Sequence, residues 1–363
     1  MNAPVPRPGI SGIAPYVGGE SLIAGARRVI KLASNESALG ASPQAIAALQ
    51  DSAAHAYRYP DGGCHALRAA IAQRFYVDAD RVVCGAGSDE LIGLLCRAYA
   101  GAGDEVLYSE HGFLMYPIAA RAAGATPVAA PETRLTTDVD ALLATVSERT
   151  RIVFIANPNN PTGTYIPDRE MRRLRAGLPD QVLLVIDAAY AEYMDADDYA
   201  AGERLVEDGG GNVVMTRTFS KIFGLGGLRL GWAYCPPAIA DILNRVRNPF
   251  NVSSLAQVAG YAAIDDVAFF GQAKAHNDRW RVWLTRELRS LGLGVDDSVC
   301  NFVLVRFPAV SNRDARAADA FLKEHGIITR RMEAYKLPDC LRITIGLEDE
   351  MRAVAAALAA FMG

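Results

Sequence analysis

The stretch TRTFSKIFGLGGLRLG, from Thr216 to Gly231, sets Lys221 among hydroxyls, glycines and apolar side chains rather than on a charged face. Most lysines stay solvated, but Phe219, Ile222, Phe223 and Leu225 argue that this amine is partly desolvated. Near another cation such an amine has a lowered pKa, the condition for Schiff-base chemistry with a carbonyl. Thr218, Ser220 and Arg229 add two hydroxyls and a guanidinium suited to a phosphate. Lysine is scarce here: of 37 basic residues only five are lysines (Lys31, Lys221, Lys274, Lys323 and Lys336).

Three further segments carry polar or glycine-rich groups just after apolar runs. Asp187 ends the run 182–187 and leads into Ala188-Ala189-Tyr190. A carboxylate there is costly to bury unless it meets a cation or hydrogen-bond donors; capping a helix is its other reading. The string NPNNPTG, Asn157 to Gly163, makes a rigid turn, and its adjacent asparagines, Asn159 and Asn160, also offer amide donors to a ligand. In CGAGSDE, Cys84 to Glu90, glycines join a strand to a helix start whose free amides attract phosphate. A tight strand-to-helix turn explains those glycines as well. The string lacks the G-x-G-x-x-G of a dinucleotide site, which disfavours a nicotinamide enzyme.

The elements that must position these residues alternate. Short β-branched runs at 82–84, 106–108, 126–129, 152–156, 182–187, 213–216 and 230–234 predict strands. Helical stretches at 89–100, 115–123, 139–146 and 169–176 lie between them. That is the pattern of an α/β fold with a mostly parallel, buried sheet, whose ligands bind beyond the carboxyl ends of its strands. Past Pro249 the texture becomes α+β: one long helical stretch at 254–291, strands at 302–306, 327–330 and 341–345, and helices at 315–325 and 348–361. The expected organisation is an N-terminal arm (1–35) packing with the small domain, a large α/β domain (36–249) and a smaller α+β domain (250–363).

Composition excludes several classes. The 363 residues carry a net charge of −4, which gives no footprint for nucleic acid. The apolar runs are strand-length, too short for a membrane span, and the start MNAPVPRPGI has no signal-peptide core. Six scattered cysteines without a C-x-x-C pair or a histidine cluster predict reduced thiols, no metal site and a cytoplasmic setting. The acidic patch Asp195, Asp197 and Asp198 reads as a solvated loop.

Taken together, the strings APY (14–16), KLASNES (31–37), YRYPDG (57–62), GAGSDEL, NPNNPTG, DAAY, TFSKIFGLGGLRLGW and CLRITIG (340–346) resemble the fold-type I (class I/II) aminotransferases that use pyridoxal 5'-phosphate. Their order and spacing span the chain from about Tyr16 to its end. The resemblance implies that Lys221 holds the cofactor covalently and shuttles the substrate proton, and that Asp187 pairs with the pyridinium nitrogen. Asn160 and Tyr190 would bond the cofactor's phenolic oxygen, and Phe113 would stack on its ring. The cofactor phosphate would sit on Gly87, Ser88 and Asp89 with Thr218, Ser220 and Arg229, and Tyr59 would reach it from the second subunit of a homodimer. Arg342 matches the arginine that binds a substrate carboxylate as a bidentate pair.

Within the family the nearest likeness is to its branch that acts on histidinol phosphate, in histidine biosynthesis. There Arg330 and Tyr16 would join Arg342 around the substrate phosphate, with Arg331 as a substitute for Arg330. Asn160 would also face the substrate. The implied reaction moves an amino group from L-histidinol phosphate to 2-oxoglutarate, giving glutamate. Phenylalanine or tyrosine transamination is the alternative, followed by threonine-phosphate decarboxylation or a non-catalytic cofactor-binding protein. One departure stands out: Ala188 occupies the place of a glutamate in the usual Asp-Glu-Ala-Tyr pattern.

Overall fold

The protein is described by a computed structural model over residues 4–25, 28–208, 210–310 and 312–363. Parts of the expected arm, residues 1–3 and 26–27, lie outside the described residues. The N-terminal part contributes β1 (Ile30–Lys31), α1 (Pro43–Ser52) and α2 (His65–Phe75). Alternation then begins with β2 (Val82–Gly85), α3 (Ser88–Tyr99), β3 (Glu105–Ser109), α4 (Met115–Ala123) and β4 (Thr126–Ala130). A short hairpin, β5 (Glu132–Thr133) and β6 (Thr136–Thr137), precedes α5 (Val139–Thr145). Next come β7 (Thr150–Ala156), α6 (Asp168–Gly177), β8 (Leu183–Asp187), α7 (Glu203–Asp208), β9 (Val213–Thr218), β10 (Gly231–Tyr234) and α8 (Pro237–Val246).

Seven of these strands form one sheet in the order β2-β10-β9-β8-β7-β3-β4. All neighbours pair in parallel except β10, which runs antiparallel to both β2 and β9. Strands buried on both faces read as continuous apolar runs, as β8 (LLVID) does, and alternate side chains enter two different cores. Leu184 and Ile186 face one cluster, Leu183 and Val185 the other. The reversed β10 matters for the site: its first residue lies at the edge where the parallel strands end. The segment 219–230, which joins β9 to β10, therefore lies beside the turn that follows β2.

The remainder is α9 (Ser254–Asp265), α10 (Val267–Ser290), β11 (Gly294–Val295), β12 (Phe302–Arg306), α11 (Ala315–Glu324), β13 (Ile327–Ile328), β14 (Arg330–Met332), β15 (Leu337–Thr344) and α12 (Glu348–Met362). An antiparallel sheet, β11-β12-β15-β14, packs through Val303, Val305, Leu341 and Ile343 on a cluster shared with α10, α11 and α12. β1 pairs in parallel with β13, and Lys323 bonds Glu20, so Glu20 and Ile30–Lys31 lie against this part.

Three expectations need correction. The single helical stretch 254–291 is two helices, because Asp266 leaves helical geometry (ψ 68°) and turns its side chain to cap Phe269 N–H. The strand 327–330 is split: Ile327 and Ile328 pair with β1, whereas Arg330 to Met332 pair with β15. Helices α1, α2 and α8 fall where no element was read. Their boundaries have local causes, such as the Ser42 side chain capping Ala45 N–H with Pro43 in the first turn. All six cysteines are free and buried. The acidic patch is exposed, with Asp195 paired to Lys274 and Asp198 accepting from Tyr165. Among the described residues no helix is long and apolar enough to cross a membrane, and no three metal-ligating side chains cluster.

Candidate active site

A cleft of about 300 Å³ opens at the carboxyl edge of the large sheet, facing the smaller one. Its lining includes Tyr16, Ser88, Asp89, Phe113, Asn160, Asp187, Tyr190, Thr218, Ser220, Lys221, Arg229, Arg330 and Arg342. Residues more than 300 positions apart in the chain thus share one cavity of a size usual for small-ligand sites.

The floor is built from strand ends. Asp187 is the last residue of β8 and only 4% exposed; its Oδ2 accepts from Tyr116 at 2.8 Å and its Oδ1 from Thr216 at 3.3 Å. Burial raises its pKa to about 6, against the pull of those two donors. Lys221 follows β9, and its Nζ lies 5.6 Å from the centre of the Tyr190 ring. Burial first, then the charges of Arg342 and Arg229, lower its pKa to about 8. The Tyr190 hydroxyl accepts from Asn35 Nδ2 at 2.8 Å, which leaves its own proton to donate. Burial raises the Tyr190 ionisation far above its ordinary range, so the proton stays.

One end of the floor suits an anion. Ser88 opens α3 just after Gly87, which sits at φ 85°. Arg229, reached through the reversed β10, donates to Asp89 Oδ2 at 2.9 Å and Ser220 Oγ at 3.3 Å. Gly87 takes a backbone conformation that L side chains rarely adopt, and a Cβ there would sit 2.5 Å from the Arg229 guanidinium and push it aside.

The opposite wall belongs to the smaller sheet. Arg330 on β14 and Arg342 on β15 stand directly across from each other in the ladder. Like charges in that position repel, and both side chains reach the cleft. Arg342 is buried, bonded to Asn160 Oδ1 and Ala33 O, with its Nε unpartnered. Arg330 donates to the backbone carbonyls of Val17 and Gly18, next to Tyr16, which is 51% exposed at the mouth. Arg331 alternates away and pairs with Glu333.

Of the expected site residues, Gly87 does not itself line the cleft, although its neighbour Ser88 does, and Tyr59 is set apart. It is 83% exposed, stacked on Phe250 with centroids 4.7 Å apart, and does not line the cleft. Ala188 is completely buried in the apolar core, where the usual glutamate would need a partner. Sequence reasoning missed Asn35, Glu36, Tyr116, Thr216 and Tyr335. Asn35 lay inside a quoted string, and its positive φ of 54° was not visible there. Tyr335 is buried on the cleft wall with its ionisation raised to about 12 by burial.

Comparison with known proteins follows the same lines. The profile of the family described as aminotransferase class I and II matches residues 27–358. The histidinol-phosphate aminotransferase of Paramagnetospirillum magneticum is 62% identical over 363 residues, the whole of both chains. That of Rhodospirillum centenum is 63% identical over 358 residues, 99% of this chain and 98% of the other. A crystal structure of histidinol-phosphate aminotransferase from Sinorhizobium meliloti in complex with pyridoxal-5'-phosphate superposes with a TM-score of 0.89 at 30% identity, covering 98% and 97% of the two chains.

Proposed function

The chain belongs to the class I and II aminotransferases, and from that premise we propose that it transfers the amino group of L-histidinol phosphate to 2-oxoglutarate with pyridoxal 5'-phosphate. The observation that carries the substrate is the pair Arg330 and Arg342, opposed across two strands and both facing the cleft. Two guanidiniums lining one cleft and, among the described residues, bonded only to neutral oxygens suit a phosphate dianion better than a single carboxylate.

The residues present fit the cofactor. Asp187 is a buried carboxylate whose hydrogen-bond partners are all neutral, which leaves it ready for the cationic nitrogen of a pyridinium. Ser88, Thr218, Ser220 and Arg229 line one end of the cleft, a set of hydroxyls and a guanidinium that suits the cofactor's phosphate. When bound, pyridoxal phosphate supplies the electron sink that lets a proton leave the substrate's α-carbon.

The chain supplies the rest. Lys221 is the amine that would hold the cofactor's aldehyde carbon, and as a free amine it would carry the proton that leaves the substrate's α-carbon. Its lowered pKa lets it act as a base near neutrality. Asn160 and Tyr190 donate to the phenolic oxygen, and Phe113 packs on the ring. Arg342, Arg330 and the Tyr16 hydroxyl hold the phosphate of one substrate and the α-carboxylate of the other.

The same reading makes the protein a cytoplasmic homodimer of histidine biosynthesis, with an arm, a large domain and a small domain that meet near residues 35 and 249. The exposed Tyr59–Phe250 stack supports an interface in which Tyr59 reaches the partner's cofactor phosphate. The test is spectroscopic and kinetic together. The purified protein should show an absorbance band near the visible edge that disappears in Lys221→Ala, along with transamination. Full turnover by Lys221→Ala contradicts the proposal.

A further inference from the structure

Tyr116 lies at the start of α4, its N–H bonded to the carbonyl of Phe113 in the turn that leads into the helix, and is fully buried. Its ring stacks on Phe154 at 4.7 Å, nearly parallel, and meets Phe113 edge-on at 5.9 Å. Its hydroxyl makes a single hydrogen bond among the described residues, to Asp187 Oδ2. Burial and the nearby Asp187 charge raise the ionisation of Tyr116 well above its ordinary range. The hydroxyl therefore keeps its own proton and donates it to Asp187 as long as that carboxylate is ionised.

We propose that Tyr116 is a positioning residue for the cofactor: its hydroxyl keeps Asp187 ionised and oriented, while its ring seats Phe113. The turn that leads into α4 then sets both the ring contact and the acid partner. The proposal rests on the reading that the cleft takes pyridoxal phosphate. The groups acting on the carboxylate come from several elements. Burial and the charge of Asp89 on α3 push Asp187 toward the neutral form. Tyr116 from α4, Thr216 from β9 and the Ala189 N–H pull it back, and Tyr116 is the strongest of the three. A role in packing alone would need only the ring, so a phenylalanine at this position separates the two roles.

The experiment measures the affinity of the full-length apo-protein for pyridoxal phosphate against pH, by cofactor absorbance and quenching of protein fluorescence. Wild type should lose affinity as pH falls through about 6, where Asp187 takes up a proton. In Tyr116→Phe that loss should begin about one pH unit higher, because one donor to the carboxylate is gone. At pH 8 the two affinities should agree within about threefold, since Asp187 is ionised in both. The cofactor's own groups titrate alike in both proteins, so the displacement is read as a difference. Replacing Tyr116 by 3-fluorotyrosine, a stronger donor of the same shape, should move the loss to lower pH, and it serves equally if the phenylalanine variant does not fold. Superimposed profiles overturn the role of Tyr116 and leave the proposed function standing. An apo-protein that binds no pyridoxal phosphate at any pH overturns the reading beneath it.

Discussion

The floor and the mouth of the cleft are built on opposite terms. On the floor, Asp187, Tyr190 and Thr218 are buried at or just beyond the ends of β8 and β9, and Lys221 follows them; both Asp187 and Lys221 have ionisations moved toward neutrality. At the mouth, Tyr16 and Arg330 are partly or largely solvated, and Arg330 is held by carbonyls of the chain around residues 17–18. Arg342 stands between the two, buried like the floor but carried by the smaller sheet. The contrast separates two jobs. On the proposed function, the amine that moves a proton and the carboxylate that must stay ionised sit where desolvation tunes them, and the groups that would choose the substrate sit where a ligand can displace weak partners.

Substitutions should break that contrast in a graded way. Lys221→Ala removes the reacting amine and should lower kcat by on the order of 10⁴-fold or more, measured in single turnovers with either class of amino donor. Arg342→Ala strips a buried anion partner and should lower kcat/KM by about 10²–10³-fold for histidinol phosphate and phenylalanine alike. A loss confined to one substrate would move Arg342 from the shared wall to the selective mouth.

The floor also makes a pH prediction. Because the Lys221 pKa is lowered to about 8, the amine is neutral above that value and protonated below it. The rate at which apo-protein captures pyridoxal phosphate should fall about tenfold per pH unit below 8 and level off above it. A plateau that starts only near 10 would mean an amine in a solvated setting. The mouth is tested by Arg330→Ala, which should cost histidinol phosphate about tenfold more in kcat/KM than phenylalanine. Equal losses would remove Arg330 from the phosphate site.

Much of the floor was legible in the sequence because its logic is local. Lys221 stood among apolar neighbours, and Asp187 closed a run whose burial could be read from Leu183 to Ile186. β7, β8 and β9 were legible for the same reason. What stayed hidden depends on partners far along the chain. Tyr116 meets Asp187 across 71 residues and Asn35 meets Tyr190 across 155, and no periodicity encodes such pairings. The choice between Arg330 and Arg331 needed the register of β14 on β15, since a one-residue slip exchanges the faces. The break at Asp266 was hidden by helix-favouring alanines on both sides and is explained by the side-chain cap that starts α10.

The central claim, that this cleft pairs an amine-transfer floor with a phosphate-selective mouth, is tested most directly by one comparison. It measures kcat/KM for L-histidinol phosphate and for L-phenylalanine, each with 2-oxoglutarate as acceptor. The account predicts a preference for histidinol phosphate of at least about 10²-fold, in keeping with two guanidiniums on a dianion. A preference for phenylalanine would contradict it.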